Sequence, residues 1–183
     1  MSRFTRIGAA GTALVAAFAM ATATAGAAQP VQQFHDRYTD SFSDVACGIA
    51  VDVEIAGTDN FFVYADNTIK ATGSHHMTMT NPLNGKSVLY SSAGQLREAT
   101  APVIDEAAGT ITFFPTLKGL QGKWQTPGGS VLLRDAGIIA FADTFDLETG
   151  QPISSQVTLV KGPHPEAQSD FARTCEVITA ALT

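Results

Sequence analysis

The chain has 183 residues, of which 11 are Lys or Arg and 17 are Asp or Glu, so its formal net charge at pH 7 is −6. Because the basic residues form no cluster, we expect neither nucleic acid nor an anionic membrane surface to be a partner. Charged residues make up only 15% of the chain, so the surface must consist largely of Thr, Ser, Gln, Asn and Gly. This length suits a single compact domain with its own core.

The first 27 residues have the pattern of a secretory signal peptide. Arg3 and Arg6 precede an apolar run, and the segment ends in small residues with a candidate cleavage site at Ala25–Ala27. The alternative, a membrane anchor, requires a longer apolar span than this Ala-, Gly- and Thr-rich run provides. We therefore expect a secreted protein, located outside the cell or in the cell envelope, with no membrane anchor and one β domain over residues 28–183.

The first clear strand pattern is CGIAVDVEIAG, which begins at Cys47. Cys47, Val51 and Val53 fall on one side of this segment. Asp52 and Glu54 fall on the other side. Because successive side chains of a strand point to opposite faces, strict alternation of this kind is typical of a half-buried strand.

Short apolar stretches continue along the chain: FFVYA, HHMTMT, SVLYSS, TITFFPTL, SVLLR, GIIAFADTF and SSQVTLV. Turn signals such as GTDN, NPLNGK and TPGG separate them. The spacing predicts an all-β fold, either an antiparallel barrel or a two-sheet sandwich of about 8–10 strands. Residues 31–46, which precede the first clear strand, are either a polar lead-in or an edge strand.

Two phrases of the chain are alike: NGKSVLYSSAG at residues 84–94 and PGGSVLLRDAG at residues 127–137, an offset of 43 positions. At the same offset, Lys118-Gly119 matches Lys161-Gly162. Hairpins require Gly and β-branched residues at fixed places, so hairpin chemistry alone produces such likenesses and a true duplication stays open. In either case we predict that each phrase is a strand that ends in a tight turn.

The C-terminal segment, residues 165–182, has the period of a helix. Its apolar residues recur at i, i+4, i+7 and i+11, which places them on one helix face: Phe171, Cys175, Ile178 and Leu182. Pro165 suits the first turn of a helix. We predict one C-terminal α-helix here.

Cys47 and Cys175 are the only two cysteines. An even number of cysteines in an exported chain favours a disulfide, with two buried free thiols as the alternative. The bond would clamp the C-terminal helix onto the first core strand. The chain-entropy model gives such a long loop an upper value of about 5 kcal/mol.

His75 and His76 are adjacent, so in a strand their side chains point to opposite faces and cannot easily share one metal ion. His75 would share its face with Met77 and Met79. One interpretation is a packed histidine beside a solvated one. The other is that one of them lines a pocket, which makes His75 and His76 candidate catalytic residues and Met77 and Met79 candidate ligand-binding residues.

Gly122-Lys123-Trp124 is similar to the G-x-W signature of lipocalin barrels. That family has the signature at its first strand, whereas here it stands far inside the chain. The resemblance implies a barrel that holds one small apolar ligand, with Trp124 as a candidate ligand-binding residue. The alternative is a tryptophan that closes one end of the core.

No nucleophile-elbow, P-loop, dinucleotide-binding, H-E-x-x-H or C-x-x-C motif is present, so we expect no cofactor. Asp143, Asp146 and Glu148 fail the EF-hand spacing, and we expect no metal site. These features favour a non-enzymatic extracellular module that binds a small molecule or another surface. Two alternatives stay open: a small cofactor-independent isomerase, lyase or hydrolase whose pocket histidine meets a carboxylate, and a structural envelope protein.

Several phrases together resemble a family of small exported actinobacterial proteins without an assigned function: TDSFSDVACG, YADNT, NGKSV, AGIIAFADTFDLETG and PHPEAQSDFARTCEV. The resemblance covers nearly all of residues 28–183. It implies secretion, a mostly β domain and paired cysteines. It implies no catalytic site, so it assigns no functional residue.

Overall fold

The computed structural model describes residues 29–167, 169 and 172–183; the expected signal peptide and Phe171 lie outside the described residues. Within them, nine strands form one antiparallel sheet and a single helix follows. The elements are β1 (Gln32–Ala46), β2 (Ile49–Val63), β3 (Ile69–Thr80), β4 (Ser87–Glu98), β5 (Val103–Asp105), β6 (Thr110–Phe113), β7 (Pro115–Gln125), β8 (Val131–Asp146), β9 (Pro152–Lys161) and α1 (Ala172–Leu182).

The sheet is a meander in which each long strand pairs with the next long strand, and β5 and β6 lie in the chain between β4 and β7. β6 pairs with residues 143–146 of β8, and β7 pairs with residues 131–140. β9 pairs with residues 138–145 of the same strand. Since the two sets overlap, β6 and β7 must lie end to end along one side of β8, and β9 along the other. β1 and β9 are therefore the long edges of the described sheet.

The two faces of the sheet differ in polarity. On β2, Val51 and Val53 are buried while Asp52 and Glu54 are exposed, which confirms the predicted alternation. The face that carries Val51 and Val53 is covered at one end by α1, and we call it the helix face. The opposite, polar face carries cross-strand hydroxyl pairs, such as Thr58 with Ser74 at 3.0 Å. The all-β prediction is confirmed, as a single sheet curled into a half-barrel.

The core lies on the helix face, beneath α1. Its buried residues come from the end of β1, from four further strands and from the helix: Ala46, Val51, Val53, Met79, Val88, Trp124, Ile178 and Leu182. Ile178 and Leu182 stand four residues apart and so project from the same side of α1. Burial of each such side chain contributes about 1.5–3 kcal/mol, which makes the docking of α1 a large part of the stability.

Cys47 and Cys175 form a disulfide with a Cα–Cα distance of 5.3 Å, as predicted. Cys47 is not in the strand where the alternation pattern placed it. It forms the two-residue turn between β1 and β2 with Gly48, and both residues have positive φ, 51° and 83°. Two-residue hairpins favour this conformation because its twist matches that of the strands. The bond therefore joins the tip of the first hairpin to α1.

The helix is shorter than predicted. α1 begins at Ala172, and Pro165 lies in a turn before it rather than in the first helical turn. At the other end, the side-chain amides of Asn81 and Asn84 donate to the carbonyl oxygen of Leu182 at 3.1 and 2.8 Å. These bonds satisfy a carbonyl that a helix end leaves free. No helix in the described part of the chain has the length and hydropathy needed to cross a bilayer.

The two similar phrases occupy equivalent positions in two hairpins, but the predicted tight turns are wrong. β4 and β8 continue past Gly94 and Gly137. Gly94 pairs with Gly119, and Gly137 lies against Gly162, so the matched glycines meet in both hairpins. A Cβ atom on Gly119 would lie 2.6 Å from the Ala93 carbonyl oxygen. Glycine is needed here for close approach of two backbones, not for a turn.

Candidate functional site

A hollow of about 350 Å³ opens on the helix face, beside the core. Strands β2, β3, β4 and β7 supply its walls. Its polar lining includes Asp59, His75, Ser92, Tyr90 and Gln121, and its apolar lining includes Leu96 and Leu117. A hollow with a few converging polar groups among apolar walls is the usual composition of a ligand site.

Three side chains in the hollow form a continuous hydrogen-bond chain across neighbouring strands. The Nε2 atom of His75 lies 3.0 Å from Asp59 Oδ1, and its Nδ1 atom lies 3.0 Å from Ser92 Oγ. An ionised carboxylate only accepts, so Nε2 carries the proton and donates to Asp59. The bare Nδ1 then accepts from the Ser92 hydroxyl. Carboxylate, imidazole and hydroxyl thus follow in the order found in serine nucleophile sites.

Strand register explains why these residues meet. Gly57 pairs with His75, and His75 pairs with Ser92, so the three lie in one row on the helix face. Asp59 is two residues beyond Gly57 and shares its face. A Cβ atom on Gly57 would lie 2.7 Å from His75 Cδ2, and one on Gly73 would lie 3.3 Å from His75 Cε1. The two glycines therefore leave the space that the imidazole ring occupies.

Ser92 lies at a bulge. The pairing of β4 with β7 shifts register between Ser91 and Ala93, opposite Gln121. Bulges re-aim side chains and are common beside active sites. The Tyr90 hydroxyl donates to the Gln121 carbonyl oxygen at 2.8 Å, and the Gln121 side-chain Oε1 is buried with no hydrogen-bond partner among the described residues. The Gln121 Nε2 atom donates to the Gly137 carbonyl oxygen at 3.4 Å, so the unpaired atom of this side chain is a buried acceptor.

Tyr38 of the edge strand covers the histidine. Its ring centroid lies 6.2 Å from that of His75, and it passes over Gly57, where a side chain would collide with it. Burial raises the pKa of the Tyr38 hydroxyl, and the nearby carboxylates of Asp59 and Asp36 raise it further. Tyr38 is therefore a neutral hydrogen-bond donor at ordinary pH.

The remaining sequence candidates lie elsewhere. His76 is exposed on the polar face, in a broad depression of about 710 Å³ that Ser91 also lines. Met79 and Trp124 are buried in the core beneath α1, and Met77 packs against that core. His75 shares the face of Met77 and Met79, as the alternation predicted. In the part of the chain that the structure describes, no group of three His, Cys, Asp or Glu residues is placed to hold a metal ion.

Asp59 and Ser92 were not singled out by the sequence. GTDN, residues 57–60, is predicted to be a turn, but the structure places it inside β2. The signal that could have revealed Asp59 is its position two residues beyond Gly57 in an unbroken period-two pattern from Val51. Nothing local in YSS marks Ser92, because its role depends on a strand register that only the fold determines.

Glu98, at the end of β4, is a buried carboxyl outside the hollow. It is only 5% exposed, and its Oε2 accepts the backbone N–H of Ile69 at 2.8 Å. Burial raises the pKa of Glu98 to about 7, although the hydrogen bond from Ile69 acts in the opposite direction. The folded protein therefore holds a proton on Glu98 at pH values where the unfolded chain has lost it.

We expect stability to fall as pH rises from about 4.5 to about 7, the ordinary and folded pKa values of Glu98. Below this interval the carboxyl is protonated in both states, so its contribution is fully present. Across the interval the unfolded chain ionises while the folded chain still holds the proton. This stabilises the unfolded state by about 1–3 kcal/mol in total. Glu98→Gln should remove this loss, measured by urea unfolding at pH 4.5 and 8. The exposed Glu106→Gln should keep the wild-type slope, and equal slopes for Glu98→Gln and wild type would contradict the prediction.

Comparison of the chain with protein-family models, with curated proteins and with solved structures gives no match in any of the three.

Proposed function

We propose that the protein is a secreted module that binds a small molecule with an apolar body and one neutral polar end. The observation that carries this proposal is the Asp59–His75–Ser92 chain, set in a hollow whose other walls are largely apolar. Its volume of about 350 Å³ falls at the lower end of the range of about 300–1,000 Å³ typical of ligand sites.

Export is supported by two features of the chain. The disulfide between Cys47 and Cys175 is a bond that persists in oxidising compartments. The N-terminal segment has the charged and apolar regions of a signal peptide. The resemblance of several phrases to small exported actinobacterial proteins supports the same location, and we include membership of that family in the proposal.

The charges around the hollow select the polar end of the ligand. Asp59 and Asp36 stand directly opposite each other on β2 and β1, beside the histidine. These two carboxylates repel an anion at the His75 end of the hollow, whereas Lys118 lines its β7 side. The Ser92 oxygen, whose proton goes to His75, can still accept a hydrogen bond from an uncharged group, so a neutral alcohol, amide or ester fits better than a carboxylate.

The binding proposal can be tested with probe ligands and with substitutions of the two adjacent histidines. We expect calorimetry with octan-1-ol and octanamide to detect binding, and octanoate at the same concentration to bind at least tenfold more weakly. His75→Ala should weaken octanamide binding about tenfold, because it removes part of the wall of the hollow and the group that orients the Ser92 hydroxyl. His76→Ala, one residue away on the polar face, should bind as wild type does. Equal effects of the two variants, or no binding of any neutral probe, would overturn the proposal.

A further inference from the structure

We infer that the hollow is an acyl-transfer site in which Ser92 attacks small neutral carboxylic esters. The inference rests on the proposed function, because the ester would occupy the same hollow as the ligand. It starts from geometry: the Ser92 hydroxyl donates to His75 Nδ1, and the opposite ring nitrogen is held by Asp59, each at 3.0 Å. The imidazole is 31% exposed, so a small molecule can reach it.

The chemistry needs no cofactor. Ser92 Oγ attacks the ester carbonyl carbon while its proton passes to His75 Nδ1, and the bond to the leaving alkoxide breaks as His75 returns that proton to it. Water then attacks the acyl-serine and gives a proton to His75. Release of the carboxylic acid returns this proton to Ser92 Oγ. The net reaction converts one ester and one water into an acid and an alcohol.

Asp59 acts through the histidine and is a positioning residue. Its carboxylate accepts the proton of Nε2, which keeps Nδ1 free to take the proton of Ser92. It also stabilises the imidazolium that forms when that proton arrives. The ring nitrogens have the opposite assignment to that of serine proteases, but the roles depend on geometry and not on which nitrogen is used.

One donor borders the reacting hydroxyl, because the bulge at Ser92 lies opposite Gln121. The Nε2 atom of Gln121 donates to the Gly137 carbonyl oxygen at 3.4 Å, and its second hydrogen can face the oxygen that becomes negative. Side-chain donors of this kind stabilise the tetrahedral intermediate of acyl transfer.

The charges of the site favour turnover. A neutral ester is not repelled by Asp36 and Asp59, which stand directly opposite each other on β1 and β2. Its product is a carboxylate, which both side chains repel. The apolar walls at Leu96 and Leu117 suit a short acyl chain, so we assign short-chain esters as the substrate class.

The neighbouring serines provide the matched pair for the test. The full chain with its disulfide intact is treated with a fluorophosphonate probe and, separately, with 4-nitrophenyl butyrate. We expect peptide mass spectrometry to find the phosphonate on Ser92. Ser92→Ala should abolish labelling and lower ester hydrolysis at least 100-fold, whereas Ser91→Ala, on the polar face, should match wild type. Asp59→Asn should lower kcat with little change in KM and alter the pH–rate profile, with labelling slowed and not abolished.

An unlabelled wild type, or labelling that survives in Ser92→Ala, would overturn the inference. Thermal unfolding of each variant shows whether it is folded, and octanamide binding separates the two proposals. If Ser92 is unreactive while octanamide still binds in a manner that depends on His75, the acyl-transfer inference fails and the binding function stands. If octanamide does not bind either, both fail.

Discussion

The Cys47→Ser, Cys175→Ser double variant should lose about 3–5 kcal/mol of its free energy of unfolding. The native bond closes a loop with a sequence separation of 128 residues, so its removal returns a large conformational entropy to the unfolded chain. The folded state is weakened as well, because α1 supplies Ile178 and Leu182 to a small core and is tied to the sheet by this bond.

Urea unfolding followed by circular dichroism measures the loss. Wild type in excess reductant is the control, since it lacks the bond but keeps both sulfur atoms, and its midpoint should coincide with that of the double variant. A midpoint equal to that of oxidised wild type would show that the bond contributes little and that the docking of α1 is sufficient without it.

Three glycine substitutions should change the free energy of unfolding by graded amounts. Gly128→Ala should be nearly neutral, because its Cβ would meet only Thr126 Oγ1 at an ordinary 3.7 Å. Gly85→Ala should cost about 1–2 kcal/mol, because its φ is +72° although the space is open. Gly119→Ala should cost about 4 kcal/mol or more, because its φ is +118° and its Cβ would lie 2.6 Å from a backbone oxygen.

The comparison within this series isolates the backbone contact. Gly85 and Gly119 share a positive φ, so the extra cost at Gly119 reports the close approach to β4. Free energies of unfolding from denaturant titrations give the three values on one scale. If Gly119→Ala cost no more than Gly85→Ala, the close crossing of strands in this hairpin would be refuted.

The parts of the fold that could be predicted are those with a local cause. Alternation along Val51, Asp52 and Val53 predicts a strand, because burial of one face needs no knowledge of the rest of the chain. The disulfide between Cys47 and Cys175 follows from the number of cysteines and the expected export. α1 ends at Leu182, as its apolar period predicts, but it begins at Ala172 because Pro165 lies in a turn and not in the first helical turn.

Three of the errors concern glycine. Gly57, in the GTDN segment, and Gly94 and Gly137, in the repeated phrases, are typical of turns by residue type, yet all three lie inside strands. Glycine is needed at these positions because of contacts between strands. Gly57 makes space for a side chain of the next strand, and the other two allow backbones to approach. The neighbouring sequence cannot distinguish a glycine that makes space between strands from a glycine in a turn, because both roles require only the absence of a Cβ atom.

The histidine of the candidate site could be predicted from the sequence, but its two partners could not. Adjacent His75 and His76 must point to opposite faces, which restricts any pocket role to one of them. Which carboxylate and which hydroxyl His75 would meet depended on the registers of β2 with β3 and of β3 with β4. A shift of one residue in either register would have moved Asp59 or Ser92 to the polar face.

The two long edges of the sheet have unequal protection against other chains. β1 carries Asp36, Arg37, Asp40 and Asp44, and charged residues on an edge strand disfavour pairing with a strand of another molecule. All ten residues of β9 are exposed, and its only charge is the terminal Lys161. In a concentrated sample, filament growth or gelling would therefore begin at β9, and a lysine in place of Val157 would be the natural gatekeeper.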